Sequence, residues 1–169
     1  MKVIVFLSNR DSVNFHYALI SNATIEIVDE SRGKLVRQPV IPSDFFKLHG
    51  GMTQIERSET FKKFVGLDRA ILFCTDVAAR GLDLPHVNWI IQYDPPGEPK
   101  EYIHRVGRTA RLGKKGYAVI FLLPSEESYF VDISFHLKRA TRVESFFLHS
   151  TTTYLCFNVF GVEKFWEES

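Results

Sequence analysis

The sequence predicts an α/β sandwich, a mainly parallel central sheet with helices on both faces, and three observations carry that prediction. Five short apolar runs recur along the chain, and four of them are near-continuously apolar, the pattern of strands covered on both faces. Stripes of helical period fill the intervals between them, and strand alternating with helix in this order builds a parallel sheet through crossovers. The polar residues gather just after the strands, where an open parallel sheet collects its ligands.

The first run is Val3 to Leu7, followed by a helix with Val13, Tyr17 and Ile20 on one face at about 100° per residue. Residues 23 to 43 then break the rhythm with mixed charges, Gly33, Pro39 and Pro42, and read as an exposed insertion. Phe45 to Leu48 is the second strand. Thr53, with Glu56 three residues on, resembles a capping box for a second helix whose stripe is Ile55, Ser58, Phe61 and Val65. Ala70 to Cys74, Val87 to Tyr93 and Ala118 to Leu123 complete the set of strands. A third stripe, Tyr129, Phe130, Ile133 and Leu137, starts from Ser125, with Ser128 as a weaker box partner. After about Ala140 the pattern weakens, and Phe146 to Phe160, rich in aromatic and β-branched residues, fits an added strand, a docking segment or a poorly folded extension. The division that follows is residues 1–140 as one domain and 141–169 as an extension.

Composition narrows the function. The 169 residues are 45% apolar and suffice for one domain, and 21 Lys and Arg against 20 Asp and Glu give a net charge of +1. A generally basic nucleic-acid binder is therefore excluded, and any basic site must be local. No stretch approaches the ~18 apolar residues of a membrane span. Met1 to Leu7, with Arg10 and Asp11 so close behind, is too short for a signal peptide. Cys74 and Cys156 show neither disulfide-scaffold nor metal-ligand spacing, so no metal site is expected. The sequon Asn22-Ala23-Thr24 stands without other marks of secretion.

Four polar loops share one predicted rim: Ser8-Asn9-Arg10, His49-Gly50-Gly51, Thr75-Asp76 and Asp94-Pro95-Pro96. Polar strand-to-helix loops occur in any α/β domain, so each alone says little. Tyr102 to Gly116 is more specific, with five cations and no acid. As a helix it would set His104, Arg108 and Arg111 at i, i+4 and i+7, within roughly 60° of one another, with Arg105 about 100° away. Like charges so placed repel, and a polyanion relieves them; Arg suits the task because its fork grips phosphate oxygens. In Thr75 to Asp83, Gly81 between Arg80 and Asp83 lets the backbone approach a ligand while a carboxylate faces it, one common use being a ribose. Two other matches fail. Gly107 to Gly113 has five residues between its glycines, and Lys115 stands where a P-loop needs Ser or Thr. Cys74 and Arg80 have the C-x5-R spacing of cysteine phosphatases, but Asp76 would put a negative charge in the phosphate cradle.

Four segments in order and at family spacing resemble the second RecA-like domain of a DEAD-box RNA helicase. Val3 to Arg10 is similar to motif IV; Leu48-His49-Gly50-Gly51-Met52 with Gln54 and Arg57 to motif IVa and its QxxR element; Thr75 to Asp83 to motif V; His104 to Arg111 to motif VI. The resemblance covers residues 3 to about 137. Phe15-His16-Tyr17, the insertion and Leu123-Pro124-Ser125-Glu126 point to the ribosome-biogenesis branch. The resemblance implies a RecA-like three-layer sandwich, with Arg108 and Arg111 reaching the β- and γ-phosphates of ATP and Arg111 as the arginine finger. It makes His104, with these two, part of the catalytic set, and puts His104 and Arg105 at the interface with a first RecA-like domain. Gly81 and Asp83 become the adenosine-ribose contacts. RNA is implied across Ser8, Asn9, Arg10, Gly50, Gln54, Arg57, Thr75 and Arg80, mostly through phosphates and 2′-hydroxyls, with little sequence preference.

The same resemblance implies ATP with Mg²⁺, bound mainly by the first domain, a monomer, pre-ribosomal particles as partners and a nuclear or nucleolar home. The 169 residues hold no GxxxxGK[ST], no Asp-Glu-Ala-Asp box and no adenine-reading Gln motif. The expectation is therefore a fragment holding half an active site, with negligible ATPase activity of its own. The alternatives are a non-catalytic RNA- or protein-binding module of the same fold, a DNA-directed relative and, least, the phosphatase.

Overall fold

The apolar runs become strands because each of their faces has something to cover it. The computed structural model describes residues 1–31, 33–79, 82, 84–109, 116–126, 128–129 and 131–133, and the backbone of 144–150 and 153–160. In chain order the elements are β1 (Lys2–Phe6), α1 (Arg10–Ser21), β2 (Thr24–Asp29), β3 (Lys34–Pro39), β4 (Asp44–Leu48), α2 (Gln54–Gly66), β5 (Ala70–Cys74), α3 (Asp76–Ala79), β6 (Trp89–Gln92), α4 (Pro99–Val106), β7 (Gly116–Leu122), β8 (Glu144–Ser150) and β9 (Thr153–Phe160).

The central sheet runs β4-β5-β1-β6-β7-β9-β8. Its four ladders from β4 to β7 are parallel, and the hairpin of β8 and β9 continues it antiparallel beyond β7. Alternation in β1 shows the three layers: Ile4 and Phe6 join one core with Phe64 of α2 and Tyr102 and Val106 of α4, while Val3 and Val5, with Leu7 beyond the strand, join another with Val13, Tyr17 and Ile20 of α1. Two buried faces leave no room for polar positions, hence the unbroken Val/Ile runs. This is the predicted sandwich, and the parallel ladders put all four polar loops on one rim.

Four local expectations change. The face of α2 is carried by Phe61 and Phe64, not by Ile55 and Val65, which are exposed. The described residues of 23–43 are mostly exposed, as expected, but hold an antiparallel hairpin in which Glu26 pairs with Arg37 and Gly33, at φ 61°, lies in the turn. Val87 lies outside β6 and forms an isolated bridge with Thr109. The helical arrangement weighed for Tyr102 to Gly116 holds only as far as Val106, where Gly107 caps α4, so His104 and Arg108 do not share a helical face. The physical reason is tertiary. Thr109 Oγ1 donates to the Val87 carbonyl at 2.5 Å, and the Val87 N–H donates to the Arg108 carbonyl, bonds a continuing helix would forfeit. Ile133 is buried and Tyr129 packs on the core, whereas Phe130 and Leu137 of the same stripe lie outside the described residues.

Candidate functional site

The rim is assembled from backbone outward. After β1, the Ser8 N–H donates to Asp94 Oδ2 at 2.7 Å, tying the β1 loop to the β6 loop. Asn9 caps α1, its Oδ1 accepting from the Ser12 N–H at 2.8 Å. That cap places Arg10 in the first helical position, with its side chain 62% exposed and its Nε on Asp11 Oδ1 at 3.2 Å. An exposed pair like this is weakly held and leaves the guanidinium available to a phosphate.

After β4 the chain turns through His49, Gly50 and Gly51. Nothing stands within 4 Å of where a Gly50 side chain would begin, whereas a methyl on Gly51 would meet Arg10 Cδ at 2.8 Å and His49 Nδ1 at 3.3 Å. The loop then enters α2 through the predicted capping box: Thr53 Oγ1 accepts from the Glu56 N–H, and Glu56 accepts from the Thr53 N–H. These bonds from Thr53 hold the Glu56 carboxyl below the usual range. Arg57 Nη1 donates to Gln54 Oε1 at 3.3 Å and Nη2 to the Ala78 carbonyl at 2.9 Å, so the QxxR pair braces α2 against α3.

After β5, Thr75 is buried at 8% exposure, its N–H on the Leu48 carbonyl and its own carbonyl taken by the Ala79 N–H. Beside it lies the centre of the site. Arg105, 4% exposed, donates from Nε to Asp76 Oδ1 at 2.7 Å and from Nη2 to Oδ2 at 2.5 Å. Its Nη1 donates to Gln92 Oε1 at 3.2 Å and to the Asp94 carbonyl at 2.9 Å, and its guanidinium carbon lies 4.9 Å from the centre of the Phe6 ring. One side chain of α4 thus fastens β1, α3, β6 and the β6 loop together. A bidentate carboxylate, two further acceptors and an aromatic face are what a buried guanidinium requires in place of water.

On the outer side of α4, His104 is exposed and Arg108 half-buried. With Phe6, Asp76, Ala79, Leu84, Glu101 and Arg105 they line a cleft of about 160 Å³. That is below the roughly 300 Å³ where closed small-molecule sites begin, so this cleft by itself does not enclose a small molecule. Its lining carries two guanidinium groups, Arg105 and Arg108, and two carboxylates, Asp76 and Glu101. Cys74, fully buried, has its thiol pushed up by burial first and Asp76 second, which leaves no thiolate for phosphatase chemistry.

The sequence-predicted residues fall into two sets. Ser8, Asn9, Arg10, Gly50, Gln54, Arg57 and Thr75 lie along the loops and helix starts at the rim, with Arg57 turned inward; His104 and Arg108 line the cleft, with Arg105 beneath them. Arg80, Gly81, Asp83 and Arg111 lie outside the described residues. Sequence reasoning missed Asp76 as the counter-ion of Arg105, and Gln92, Asp94 and Phe6 as its other partners. The available signal was Asp76 itself, an acid two residues past an all-buried strand.

Residues 1–113 match the helicase conserved C-terminal domain. DEAD-box ATP-dependent RNA helicase 17 of Oryza sativa subsp. japonica is 49% identical over 139 residues, which is 80% of this chain and 23% of that protein. The ATP-dependent DNA helicase DDX31 of Homo sapiens is 44% identical over 135 residues, 80% of this chain and 16% of that protein. Probable ATP-dependent RNA helicase ddx18 of Dictyostelium discoideum is 50% identical over 126 residues, 74% and 18%. The chain thus spans 16–23% of the length of these relatives. Among solved structures, domain 2 of the Mss116p DEAD-box helicase bound to an RNA duplex superposes with a TM-score of 0.63 at 32% identity, covering 79% of this chain and 46% of that one. The E. coli DEAD-box protein SrmB, bound to regulator of ribonuclease activity A, gives 0.63 at 28% identity, covering 80% and 69%.

Proposed function

The chain belongs to the helicase conserved C-terminal domain family, among the DEAD-box RNA helicases, and from that premise we propose that it is the second motor domain of an ATP-dependent RNA helicase. The observation that carries the reading is the Arg105 linkage, which makes the β1, β5 and β6 loops and α4 one body. A domain that closes as one body over RNA and ATP couples the two ligands without needing an internal hinge.

In this proposal RNA lies across Ser8, Asn9, Arg10, Gly50, Gln54, Arg57, Thr75 and Arg80, by backbone contacts that weaken with salt. Arg57 and Thr75 act largely by holding their loops, since both Nη atoms of Arg57 and the Thr75 N–H and carbonyl are engaged within the protein. Arg108 and Arg111 meet the β- and γ-phosphates, Arg111 being the finger that stabilises charge growing on the transferring phosphoryl group. Asp83 and Gly81 take the ribose. His104 faces the first domain, and Arg105 serves that interface only by holding α4 in place. ATP with Mg²⁺ supplies the transferable phosphoryl group, and the first domain most of its contacts. Residues 1–140 are the motor unit and 141–169 an appendage to it.

The test compares RNA-stimulated ATP hydrolysis by this chain alone and joined to a first RecA-like domain of a close relative. The expected outcome is negligible turnover alone and RNA-stimulated turnover joined, lost in Arg111→Ala and in Arg108→Ala. Stimulated turnover by the pure chain, abolished by Arg111→Ala, overturns the division of labour. The proposal includes pre-ribosomal particles as partners and a nucleolar location, as the sequence resemblance implies. Imaging of the tagged protein checks that. Equal affinity for DNA and RNA strands would favour the DNA-directed reading instead.

A further inference from the structure

His49 is 6% exposed, and its Nδ1 is buried with no hydrogen-bond partner. Buried ring nitrogens are ordinarily satisfied, so an orphan beside a candidate ligand surface asks for an occupant. The Arg10 side chain shares the space beside Gly51 with this nitrogen. Arg10 Nη1 and His49 Nδ1 lie 3.5 and 3.3 Å from the one point where a Gly51 side chain would begin, and the missing side chain keeps the space between them open. Arg10 is meanwhile spent on an exposed pairing with Asp11, its sequence neighbour.

We propose that His49 is a positioning residue: when Arg10 leaves Asp11 for an RNA phosphate, the neutral imidazole accepts one Arg10 N–H at Nδ1 and fixes the guanidinium on the backbone. The inference rests on the RNA reading of Arg10 given above. Arg has five donors in a rigid fork, so one edge can face the imidazole while the others grip phosphate oxygens. The arrangement needs a neutral ring. The charged groups around it are Lys47 of β4, Arg10 and Asp11 of α1, and Glu56 of α2; burial first, then Lys47 and Arg10, hold the imidazole below its usual range against the opposing pull of Asp11 and Glu56.

This gives a sign opposite to the ordinary one. A histidine that touches phosphate strengthens binding as it protonates, whereas a protonated His49 can no longer accept from Arg10 and repels it. The experiment measures fluorescence anisotropy of a labelled RNA duplex with the full chain at pH 8 and at pH 5.5, with salt titrations. The proteins are the wild type, His49→Asn, His49→Ala, Arg10→Ala and the Arg10/His49 double alanine. At pH 8, His49→Ala weakens binding about fivefold, and the double variant binds no worse than Arg10→Ala, the mark of coupled side chains. Relative to His49→Asn, which presents an acceptor near the Nδ1 position and does not titrate, the wild type weakens on acidification, and the more so the further the pH falls below the ordinary imidazole range.

Circular dichroism confirms folding at each pH. Should His49→Ala unfold, the pH comparison with His49→Asn decides. Multiplying losses in the double variant, or tighter wild-type binding on acidification, overturns the proposal while leaving the RNA reading intact. Salt-dependent duplex binding that ignores Arg10→Ala removes Arg10 from the RNA surface and the proposal with it. Absence of duplex binding overturns the RNA reading itself.

Discussion

Cutting the Asp76–Arg105 pair from either side should give unequal losses, and the inequality can be worked from exposure. Arg105 is 4% exposed and the Asp76 side chain 25%. Breaking a buried ion pair by removing one partner costs about 3–5 kcal/mol, because the survivor is left as an uncompensated buried charge. In Arg105→Met the survivor is Asp76, which can reach water, so the loss belongs at about 3 kcal/mol. In Asp76→Leu the survivor is the guanidinium, with only Gln92, the Asp94 carbonyl and the Phe6 ring, so the loss belongs nearer about 5 kcal/mol. The double variant strands neither charge and should fall short of the sum by at least about 2 kcal/mol. Urea denaturation followed by far-ultraviolet circular dichroism reads these differences. For a chain of this size they correspond to melting shifts of roughly 6–20 °C for the single variants. Additive single losses, or an Asp76→Leu variant as stable as wild type, would refute the claim that this pair is the fastening of the rim.

Thr53→Ala removes the cap of α2 and should cost about 1 kcal/mol by the same denaturation. Its partner Glu56 has a carboxyl lowered by bonds from Thr53, so its stabilisation is present above the ordinary carboxylate range and lost as pH falls through the lower folded value; a wild type and Glu56→Gln difference that did not shrink in acid would contradict this. Gly51→Ala should cost a little stability, because its methyl meets the buried His49 ring as well as the movable Arg10 side chain, and weaken RNA-duplex binding several-fold in anisotropy. Cys74, in a Cys156→Ser background, should react with a thiol reagent about 100-fold or more slowly when folded than in urea; equal rates would contradict its burial.

The sheet was legible because strands with two covered faces can carry only apolar side chains, as Val3–Leu7 and Ala70–Cys74 do. The Thr53 cap was legible for a local reason: both partners lie within four residues. The α2 face was misread because Ile55 and Val65 fit the helical period as well as Phe61 does, and only the packing of two large rings settles which face turns inward. Arg105 sits in the most basic segment of the chain, so charge patterning counts it as a surface cation. Its burial depends on Asp76, 29 residues upstream, and Gln92, 13 upstream, which no local pattern joins. The helix end at Val106 was hidden for the same reason, since the bond that stops it comes from Thr109 to Val87, 22 residues away.

That bond bears on how Arg108 keeps its place. The residue hangs on a short strap, moored at one end to the last turn of α4 through Gly107 and at the other to Val87 beside β6. Its aim is therefore inherited from the sheet as much as from the helix. If the end of α4 frays, the strap still has its sheet mooring at Val87. A cation carried on the free face of a long helix would follow every bend of that helix. This one stays registered to the strands that also carry the polar loops of the rim.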